Sequence, residues 1–538
     1  MRKLLPFLAS IGSGVLLAMA YAPASIGELA WFILVPWILA CRHATPRKAI
    51  LLSWLCGCAF WFSSMPWLTR VTFGGYSALS LYCAIYFIPL GWFTAKWFGR
   101  NGAQGKQKNI VYALLGASVW TASEFARTSW LTGFAWNTLA ISQHENISVI
   151  QIAELGGTYA VSFLVILFNL GIASTWLRYR EREKMRMTWH PEIALPLLLI
   201  ALSFAFGMTR LKPKPSQGTQ PAPLEIISIQ PAIPQDLKWG MEEIINNYRL
   251  HLMLSQEAID AYTNAHLVIW PETAVPLPAV RLIWEHPMPL MLGALDWTPE
   301  EEATGKMRNS SMLFKDATTK LAHYDKQHLV MFGEYVPFRK QLPFLGNLSP
   351  IPEDCVPGKE SGLFPIRETY ATPLICFEDT MPYLARKAVK RGARLLVIQT
   401  NDAWFDPKAG ATGLSAALRG SPQHRAHLIF RCIENRVPAV CCANSGSSGV
   451  VNKHGVFQLT SGRNMKNPPN DYVLKEEPYG LGYVVSQVEV IKDHKETLYT
   501  RYGDLFAWLC ALVGAFSLLW AWRIKNSKSS SSSSDSGS

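Results

Sequence analysis

The stretch TPLICFED, residues 372–379, is a short apolar run that ends in Cys376 and two acidic residues. Two earlier stretches have the same form and lead into Glu272 and Lys326: VIWPE at 268–272 and LAHYDK at 321–326. Short β-rich runs that end in polar residues predict buried strands with functional groups at their ends. The intervals leave room for a helix and a strand between each pair. We therefore expect a carboxylate, an amine and a thiol at one edge of a sheet.

These stretches belong to a segment, residues 222–496, that has the mixed polarity of a water-soluble fold. Helical patterning at 241–263, 380–392 and 421–436 alternates there with short β-rich runs. Strands are predicted in the same segment at LEIISIQ, HLVIWPE, LMLGALD, MLF, LAHYDK, TPLICFED, LLVIQTND, PAVCCAN and GVVN. This alternation predicts an α/β layered domain, in which sites form where strands end.

Glu272, Lys326 and Cys376 together have the chemistry of nucleophilic catalysis. A thiol with a pKa of about 8.5 is only a few per cent thiolate at pH 7, so it needs a base. Glu272 could take the proton, and Lys326 could stabilise a thiolate or the oxyanion of a tetrahedral intermediate. Structural explanations are also open, because Cys376 could be buried core, Glu272 the acid at a helix N-terminus, and Lys326 a solvated charge.

The rest of the chain is strongly apolar. Hydrophobic residues make up 49% of the 538 residues and charged residues only 17%, against ~25% charged in soluble globular proteins. A helix needs about 20 mostly apolar residues to cross a bilayer. Eight candidate spans lie at 4–21, 28–41, 50–67, 76–95, 110–127, 157–177, 192–209 and 505–522. The sequence thus predicts a seven-span membrane domain, a transmembrane helix after the α/β domain, and a Ser-rich cytoplasmic tail: residues 1–209, 505–522 and 523–538.

The net charge of +12 fits this topology better than it fits nucleic-acid binding. With eight spans, the main Lys and Arg clusters fall on one side of the membrane, as the positive-inside rule requires. Both termini are then cytoplasmic, and residues 210–500 lie on the other side. A cleavable signal peptide is the alternative for the first 20 residues, but the spans that follow at once favour an uncleaved helix. Ten cysteines are too few for a disulfide scaffold.

Two charges interrupt the fifth span. Glu124 and Arg127 are three residues apart, so they can pair on one helix face. An intramembrane charge is costly and often functional. The pair could form an interior site for a lipid headgroup, or it could simply reach the membrane interface.

Several motifs resemble known families. The α/β segment is similar to the nitrilase superfamily in PET at 271–273, YDKQHLVMFGEYVPF at 324–338, ICFED at 375–379 and TNDAWF at 400–405. Together with the spans and WTASEFARTSWLTGFAWNTLAISQ at 120–143, the chain resembles the apolipoprotein N-acyltransferase family of the bacterial inner membrane.

The resemblance implies a multi-span α-helical membrane protein with an extracytoplasmic α/β domain, a nitrilase-like αββα sandwich facing the periplasm. In it Glu272 would be the base, Lys326 the transition-state stabiliser, Cys376 the nucleophile and Glu334 a supporting second glutamate. Such enzymes move an acyl chain from a phospholipid, usually phosphatidylethanolamine, through a cysteine thioester. The acceptor is the α-amine of a diacylated apolipoprotein. No metal or diffusible cofactor is implied, and a monomer is expected.

The resemblance also assigns substrate contacts to Trp239, Phe377 and Glu378. Phe377 replaces the tyrosine that commonly follows the cysteine, and the loop after TNDAWF is longer than usual. These departures concern acyl-chain length and acceptor preference rather than the triad. Two other functions stay open: a membrane-tethered amidase that uses water as the acceptor, and a non-catalytic membrane scaffold.

Overall fold

The structure is a computed structural model, and two compact units make up the chain. One unit comprises Met1–Pro66, Tyr76–Leu211 and Tyr502–Ser538, and the other comprises Trp67–Gly75 and Lys212–Arg501. The predicted tail after 523, Trp239, and the longer loop after TNDAWF (406–418) lie outside the described residues. The structure describes residues 3–98, 106–131, 133–180, 190–212, 223–238, 240–348, 353–405, 419–446, 448–458, 462–464, 481–491 and 494–523.

The first unit is helical. One of its helices begins at a side-chain cap: Pro46 stands in the first turn of this helix, and Thr45 Oγ1 accepts a hydrogen bond from the Lys48 N–H at 3.4 Å. The α-helices that the structure describes up to residue 211 are α1 Leu5–Ala18, α2 Val35–Arg42, α3 Pro46–Ser64, α4 Phe73–Ala84, α5 Ile88–Phe98, α6 Lys106–Ser129, α7 Ile147–Ile150, α8 Ala153–Gly156, α9 Thr158–Arg180 and α10 Pro191–Leu211.

Some of the helices are long and apolar enough to span a membrane. Within the described residues, four helical stretches are long and apolar enough to cross a bilayer: Phe73–Phe98, Thr158–Tyr179, Pro191–Leu211 and Leu505–Arg523. The count of eight spans stays a prediction from the sequence.

Glu124 and Arg127 do not form the predicted ion pair. Both side chains belong to α6 and are buried, and each binds the backbone of the segment between α6 and α7. Glu124 Oε1 accepts from the Leu139 N–H at 2.7 Å, while Arg127 donates to the carbonyls of Phe134 and Trp136 at 2.6 and 2.8 Å. Backbone groups outside regular structure need such partners in an apolar interior.

The second unit is a two-sheet α/β domain. Its strands are β1 Leu224–Gln230, β2 Leu267–Ile269, β3 Val275–Pro276, β4 Leu290–Asp296, β5 Arg308–Phe314, β6 Lys320–Asp325, β7 Phe364–Ile366, β8 Thr369–Ile375, β9 Leu395–Thr400, β10 Ala439–Ala443, β11 Gly449–Val451, β12 Phe457–Gln458, β13 Gly462–Asn464 and β14 Gly482–Val488. Among the described residues, its α-helices are α11 Met241–Ala261, α12 Pro299–Ala303, α13 Pro382–Lys390, α14 Ser421–Asn435 and α15 Leu498–Tyr502.

The strands form two sheets. Within the described residues, one sheet has the order β13-β14-β1-β2-β4-β5-β6, with β3 paired to β4, and the other has the order β12-β11-β10-β9-β8-β7. The strands β1, β2 and β4 run parallel, as do β8, β9 and β10. The carboxyl ends of each parallel set therefore meet at one edge.

A buried apolar layer fills the space between the sheets. Ile226 and Ile269 from the first sheet pack in one cluster with Val397 and Val440 from the second. The opposite face of the first sheet packs on α11, and α13 packs on β8 of the second. All six residues of β9 are buried, as expected for a strand covered on both faces. The αββα sandwich expected from the sequence is confirmed.

A short stretch from the helical part of the sequence belongs to this second unit. In Trp67–Gly75, the Trp67 ring N–H donates to Gln423 Oε1 at 3.2 Å, and the Arg70 guanidinium donates to the Phe405 carbonyl at 2.8 Å. The Trp67 and Phe405 rings lie 4.7 Å apart. The stretch thus packs on the loop after β9 and on α14.

Candidate active site

Cys376 begins the tight turn that follows β8. The strand ends at Ile375, and Cys376–Thr380 forms a single 3₁₀ turn. The φ angle of Cys376 is +51°, in the left-handed region that non-glycine residues rarely adopt. This conformation costs on the order of 1–3 kcal/mol and persists where neighbouring groups hold it, often at active sites. The thiol residue is 6% exposed.

Glu272 follows β2 and is held at both carboxylate oxygens. Oε1 accepts hydrogen bonds from Asn309 Nδ2 at 2.8 Å and from Lys326 Nζ at 3.3 Å. Oε2 accepts from the backbone N–H of Asn401 at 3.0 Å. Asn401 directly follows β9, so the ends of two strands in different sheets meet at this carboxylate.

Lys326 follows β6 and contacts two carboxylates. Its Nζ donates to Glu334 Oε1 at 2.9 Å, and to Glu272 at the longer distance given above. Glu334 Oε2 accepts from the Val330 N–H at 2.9 Å, which fixes that carboxylate to its own loop. An ammonium has three N–H donors. Two of them are used by the described residues, and the third could donate to a substrate oxygen.

The charges of the site follow from burial and these contacts. Burial opposes the charge of Lys326, but Glu334 and Glu272 outweigh it and raise the pKa of Lys326 well above its ordinary value. Burial, with a further contribution from Glu272, raises the pKa of Cys376 to about 12, against opposing effects of Lys326 and a nearby histidine. The resting site therefore holds an ammonium and a protonated thiol, and the thiol needs a base to react.

Asn309 is a site residue that sequence reasoning missed. It lies on β5, and its Nδ2 also donates to Glu334 Oε1 at 2.9 Å, so one amide bridges both glutamates. The sequence signal was an asparagine at the start of the buried strand RNSSMLF. A buried polar side chain in a strand has to find a partner, and here the partners are two carboxylates.

The two residues after Cys376 occupy different environments. Phe377 is half-buried and its ring stacks on His328 at 5.8 Å. Glu378 is fully buried, and its oxygens accept from the Tyr324 hydroxyl and from three backbone N–H groups, those of Ile375, Gln327 and His328. This burial does not favour the substrate contact assigned to Glu378, because the carboxylate joins the lysine segment to the cysteine segment.

A second lysine, also missed from the sequence, lies behind Glu272. Lys238 is 3% exposed, and its Nζ donates to the Glu272 carbonyl at 3.1 Å and to Thr273 Oγ1 at 2.8 Å. Burial lowers the pKa of Lys238 to about 8, against opposing effects of Glu272 and Cys376. The amine thereby anchors the backbone of the segment that carries the glutamate.

His424, on α14, lies behind the cysteine turn and contacts Asp379 and Asp402. Its position in the sequence predicted no role for it. Within the described part of the chain, no group of three or more His, Cys, Asp and Glu side chains is arranged to hold a metal ion. The histidine and its two aspartates form a hydrogen-bonded cluster.

Two family models match the chain. The apolipoprotein N-acyltransferase N-terminal domain matches residues 13–171, and the carbon-nitrogen hydrolase domain matches residues 232–463. Among solved structures, an amidase from Nesterenkonia sp. aligns with 54% of this chain and 98% of its own, at 18% identity and a TM-score of 0.32.

Similar proteins cover nearly the whole chain. An apolipoprotein N-acyltransferase of Geobacter metallireducens is 31% identical over 97% of this chain and 96% of its own length. One from Gloeobacter violaceus is 26% identical over 96% of this chain and 94% of its own. The chain therefore belongs to the apolipoprotein N-acyltransferase family and is a membrane acyltransferase with a nitrilase-type domain.

Proposed function

We propose that this chain moves an acyl chain from a phospholipid to the N-terminal α-amine of diacylglyceryl-cysteine apolipoproteins, through a thioester on Cys376. The observation that carries the proposal is the contact of Lys326 with both Glu272 and Glu334, at the strand ends where Cys376 also lies. A nucleophile, a base and a fixed cation are the groups that acyl transfer needs. The reaction uses no metal ion and no diffusible cofactor.

In the first half-reaction, Glu272 takes the thiol proton as Cys376 attacks the ester carbonyl of the phospholipid. The remaining N–H of Lys326 binds the oxyanion of the tetrahedral intermediate. As that intermediate collapses, the ester C–O bond breaks and Glu272 returns the proton to the departing lysophospholipid oxygen. The product is an acyl thioester on Cys376. The pKa of about 12 for this thiol explains why a base is needed at neutral pH.

In the second half-reaction, the neutral α-amine of the apolipoprotein attacks the thioester carbonyl. Glu272 accepts a proton from the attacking nitrogen and passes it to the departing Cys376 sulfur. The C–S bond breaks, an amide forms, and the thiol is restored. A thioester suits this acceptor because amines attack thioesters faster than they attack oxygen esters.

Exposed apolar side chains beside the site support lipid substrates. Phe338 and Phe344, in the loop that continues from Glu334, are each 64% exposed, and Leu342 is 42% exposed. Large exposed apolar groups close together mark surfaces for membranes or partners. Both the phospholipid and the diacylated acceptor lie in the bilayer, so a lipid-facing loop at the site brings them together. Phe377 and Trp239 are the proposed substrate contacts.

The proposed location is the bacterial inner membrane. Seven spans occupy 1–209 and one occupies 505–522, the nitrilase-like domain at 222–496 faces the periplasm, and the tail at 523–538 is cytoplasmic. The four long apolar helices support the membrane part of this assignment. A phosphatase reporter that is active only in the periplasm should be active when fused after residue 212 and inactive after residue 523. The reverse result would contradict the topology.

Product analysis tests the activity. Purified full-length protein is incubated with phosphatidylethanolamine vesicles and a synthetic diacylated lipopeptide, and the lipopeptide mass is measured. A gain of one acyl chain on the amine, lost in Cys376→Ala, is expected. Cys432→Ala, which removes another fully buried thiol outside the site, is the matched control and should remain active. Free fatty acid with an unchanged lipopeptide would indicate a hydrolase. If neither product forms, the protein is a non-catalytic scaffold.

A further inference from the structure

His424 is buried and both of its ring nitrogens have acidic partners. Nδ1 lies 3.0 Å from Asp402 Oδ1, and Nε2 lies 2.9 Å from Asp379 Oδ1. Nε2 is also 3.2 Å from the carbonyl oxygen of Cys376. The side chain is 3% exposed. A ring with acceptors at both nitrogens is satisfied when both carry a proton, so the geometry favours the imidazolium.

The charges around the ring agree with this protonation. Burial works against a charge on His424, but Asp379 and Asp402 outweigh it and raise the pKa of His424 well above its ordinary value. Burial also raises the pKa of Asp379, while His424 and Arg431 oppose that rise. The His424 ring is therefore a positively charged imidazolium that lies between two acidic side chains, directly behind the nucleophile.

The two aspartates belong to different strand ends. Asp379 lies in the turn that begins with Cys376, and Asp402 lies in the turn after β9, where its Oδ1 also accepts from Thr400 Oγ1 at 2.7 Å. Asn401, one residue before Asp402, donates its N–H to Glu272. Hydrogen bonds thus run from the backbone of the nucleophile through His424 to the loop that holds the base.

We propose that His424 is a positioning residue. Its hydrogen bonds hold the Cys376 turn against the Asn401–Asp402 loop, and its imidazolium places a fixed positive charge behind the thiol. These hydrogen bonds explain how Cys376 keeps a φ of +51°, since the imidazolium binds the carbonyl of that strained residue. The assignment rests on the proposed role of Cys376 as the nucleophile. It adds a residue that touches no substrate and acts through the turn.

The charge has a predictable effect on the thiol. The positive charge of His424 favours the thiolate and lowers the pKa of Cys376, whereas Asp402 raises it. The other charged groups that face this thiol are Glu272, Lys326 and Lys238. Neutralising His424 and neutralising Asp402 should therefore move the thiol titration in opposite directions. A general loss of structure would move both variants in the same direction.

The test is the alkylation rate of Cys376 by iodoacetamide in the full-length protein, followed by peptide mass spectrometry from neutral to alkaline pH. In His424→Gln the rate profile should move to higher pH, so that the rate at a fixed neutral pH falls roughly tenfold when the thiol pKa rises by about one. In Asp402→Asn the profile should move to lower pH. His251→Gln is the matched control, because His251 is also fully buried and burial lowers its pKa to about 4, so that it is uncharged.

Each outcome decides the assignment. An unchanged profile in His424→Gln, a move in the same direction in Asp402→Asn, or an equal move in His251→Gln would overturn it. If His424→Gln does not fold, the direction of the Asp402→Asn change alone decides. Because alkylation needs no lipid or lipopeptide, its result is separate from that of the acyl-transfer assay. If the alkylation profiles move as expected but no acyl transfer occurs, the positioning role of His424 stands and the proposed function is rejected.

Discussion

Nζ of Lys326 donates to Oε1 of Glu334 at 2.9 Å, and their side chains are only 1% and 15% exposed. This contact fixes the ammonium on a carboxylate other than the proposed base. The distance from Nζ to Glu272 is longer, at 3.3 Å, so Glu272 can exchange a proton while Lys326 stays charged and in place. In the proposed mechanism, Glu334 is therefore the anchor of the ammonium and Glu272 is the base.

Glu334→Gln removes the anchoring charge but keeps an amide oxygen for Lys326. We expect kcat for acyl transfer to fall about 10- to 100-fold, less than the roughly 10²–10³-fold typical of losing an oxyanion donor outright. The measurement is initial-rate kinetics alongside a thermal unfolding curve. Glu285→Gln, at an exposed position, is the control and should keep the wild-type rate. A wild-type kcat in Glu334→Gln would reject the anchoring role.

Asn309→Ala should weaken both the site and the fold. The change removes one amide that donates to Glu272 and Glu334, and hydrogen bonds to charged groups contribute about 1.5–3 kcal/mol each. We expect a loss of unfolding free energy of that order and a clear fall in kcat. Ser311→Ala is the matched control, because Ser311 is fully buried two residues along the same strand. Equal effects of the two substitutions would show that Asn309 has no special role.

Phe338→Ser and Phe344→Ser test the lipid-facing loop. Both rings are exposed, so their removal should change stability little and should weaken the interaction with the bilayer. We expect a higher apparent KM for phospholipid in vesicles with kcat almost unchanged. Tyr370→Ser, which removes another exposed aromatic ring on β8, is the control. A lower kcat with an unchanged KM would contradict a lipid-contacting role.

Trp67→Ala tests the short stretch that packs on the nitrilase-like domain. Trp67 is 4% exposed and contacts Phe405 and Gln423, so its truncation should cost about 3–5 kcal/mol, as for other buried tryptophans. The readout is thermal unfolding of the full-length protein in detergent. Phe73→Ala, at a position that is 72% exposed, should be close to wild type. Similar unfolding temperatures for both variants would show that Trp67 adds no stability.

Much of the sandwich could be predicted because its strands carry local signals. The run TPLICFED covers the end of the buried strand β8 and the turn that follows it. The run LLVIQT is apolar because both faces of β9 are covered. The placement of Glu272, Lys326 and Cys376 at strand ends followed from the same pattern. Their positions could be predicted because each residue closely follows an apolar run that forms a strand.

The missed residues lack such local signals. Asn309 lies within a strand and His424 within a helix, and their partners are far away in the sequence and come close only when the domain folds. Lys238 depends on the packing of the segment after β1 against Glu272. For Glu124 and Arg127, helical spacing correctly placed both residues on α6. It could not show that both side chains would form hydrogen bonds with nearby backbone groups.

The most direct measurement of the central claim is the intact mass of the protein after incubation with phosphatidylethanolamine alone, with no acceptor. We predict a gain of one acyl chain that maps to the Cys376 peptide, is removed by hydroxylamine, and is absent in Cys376→Ala. Addition of the diacylated lipopeptide should then discharge the acyl group onto its amine. An acyl group on another residue, or transfer to the lipopeptide by the Cys376→Ala protein, would contradict the account.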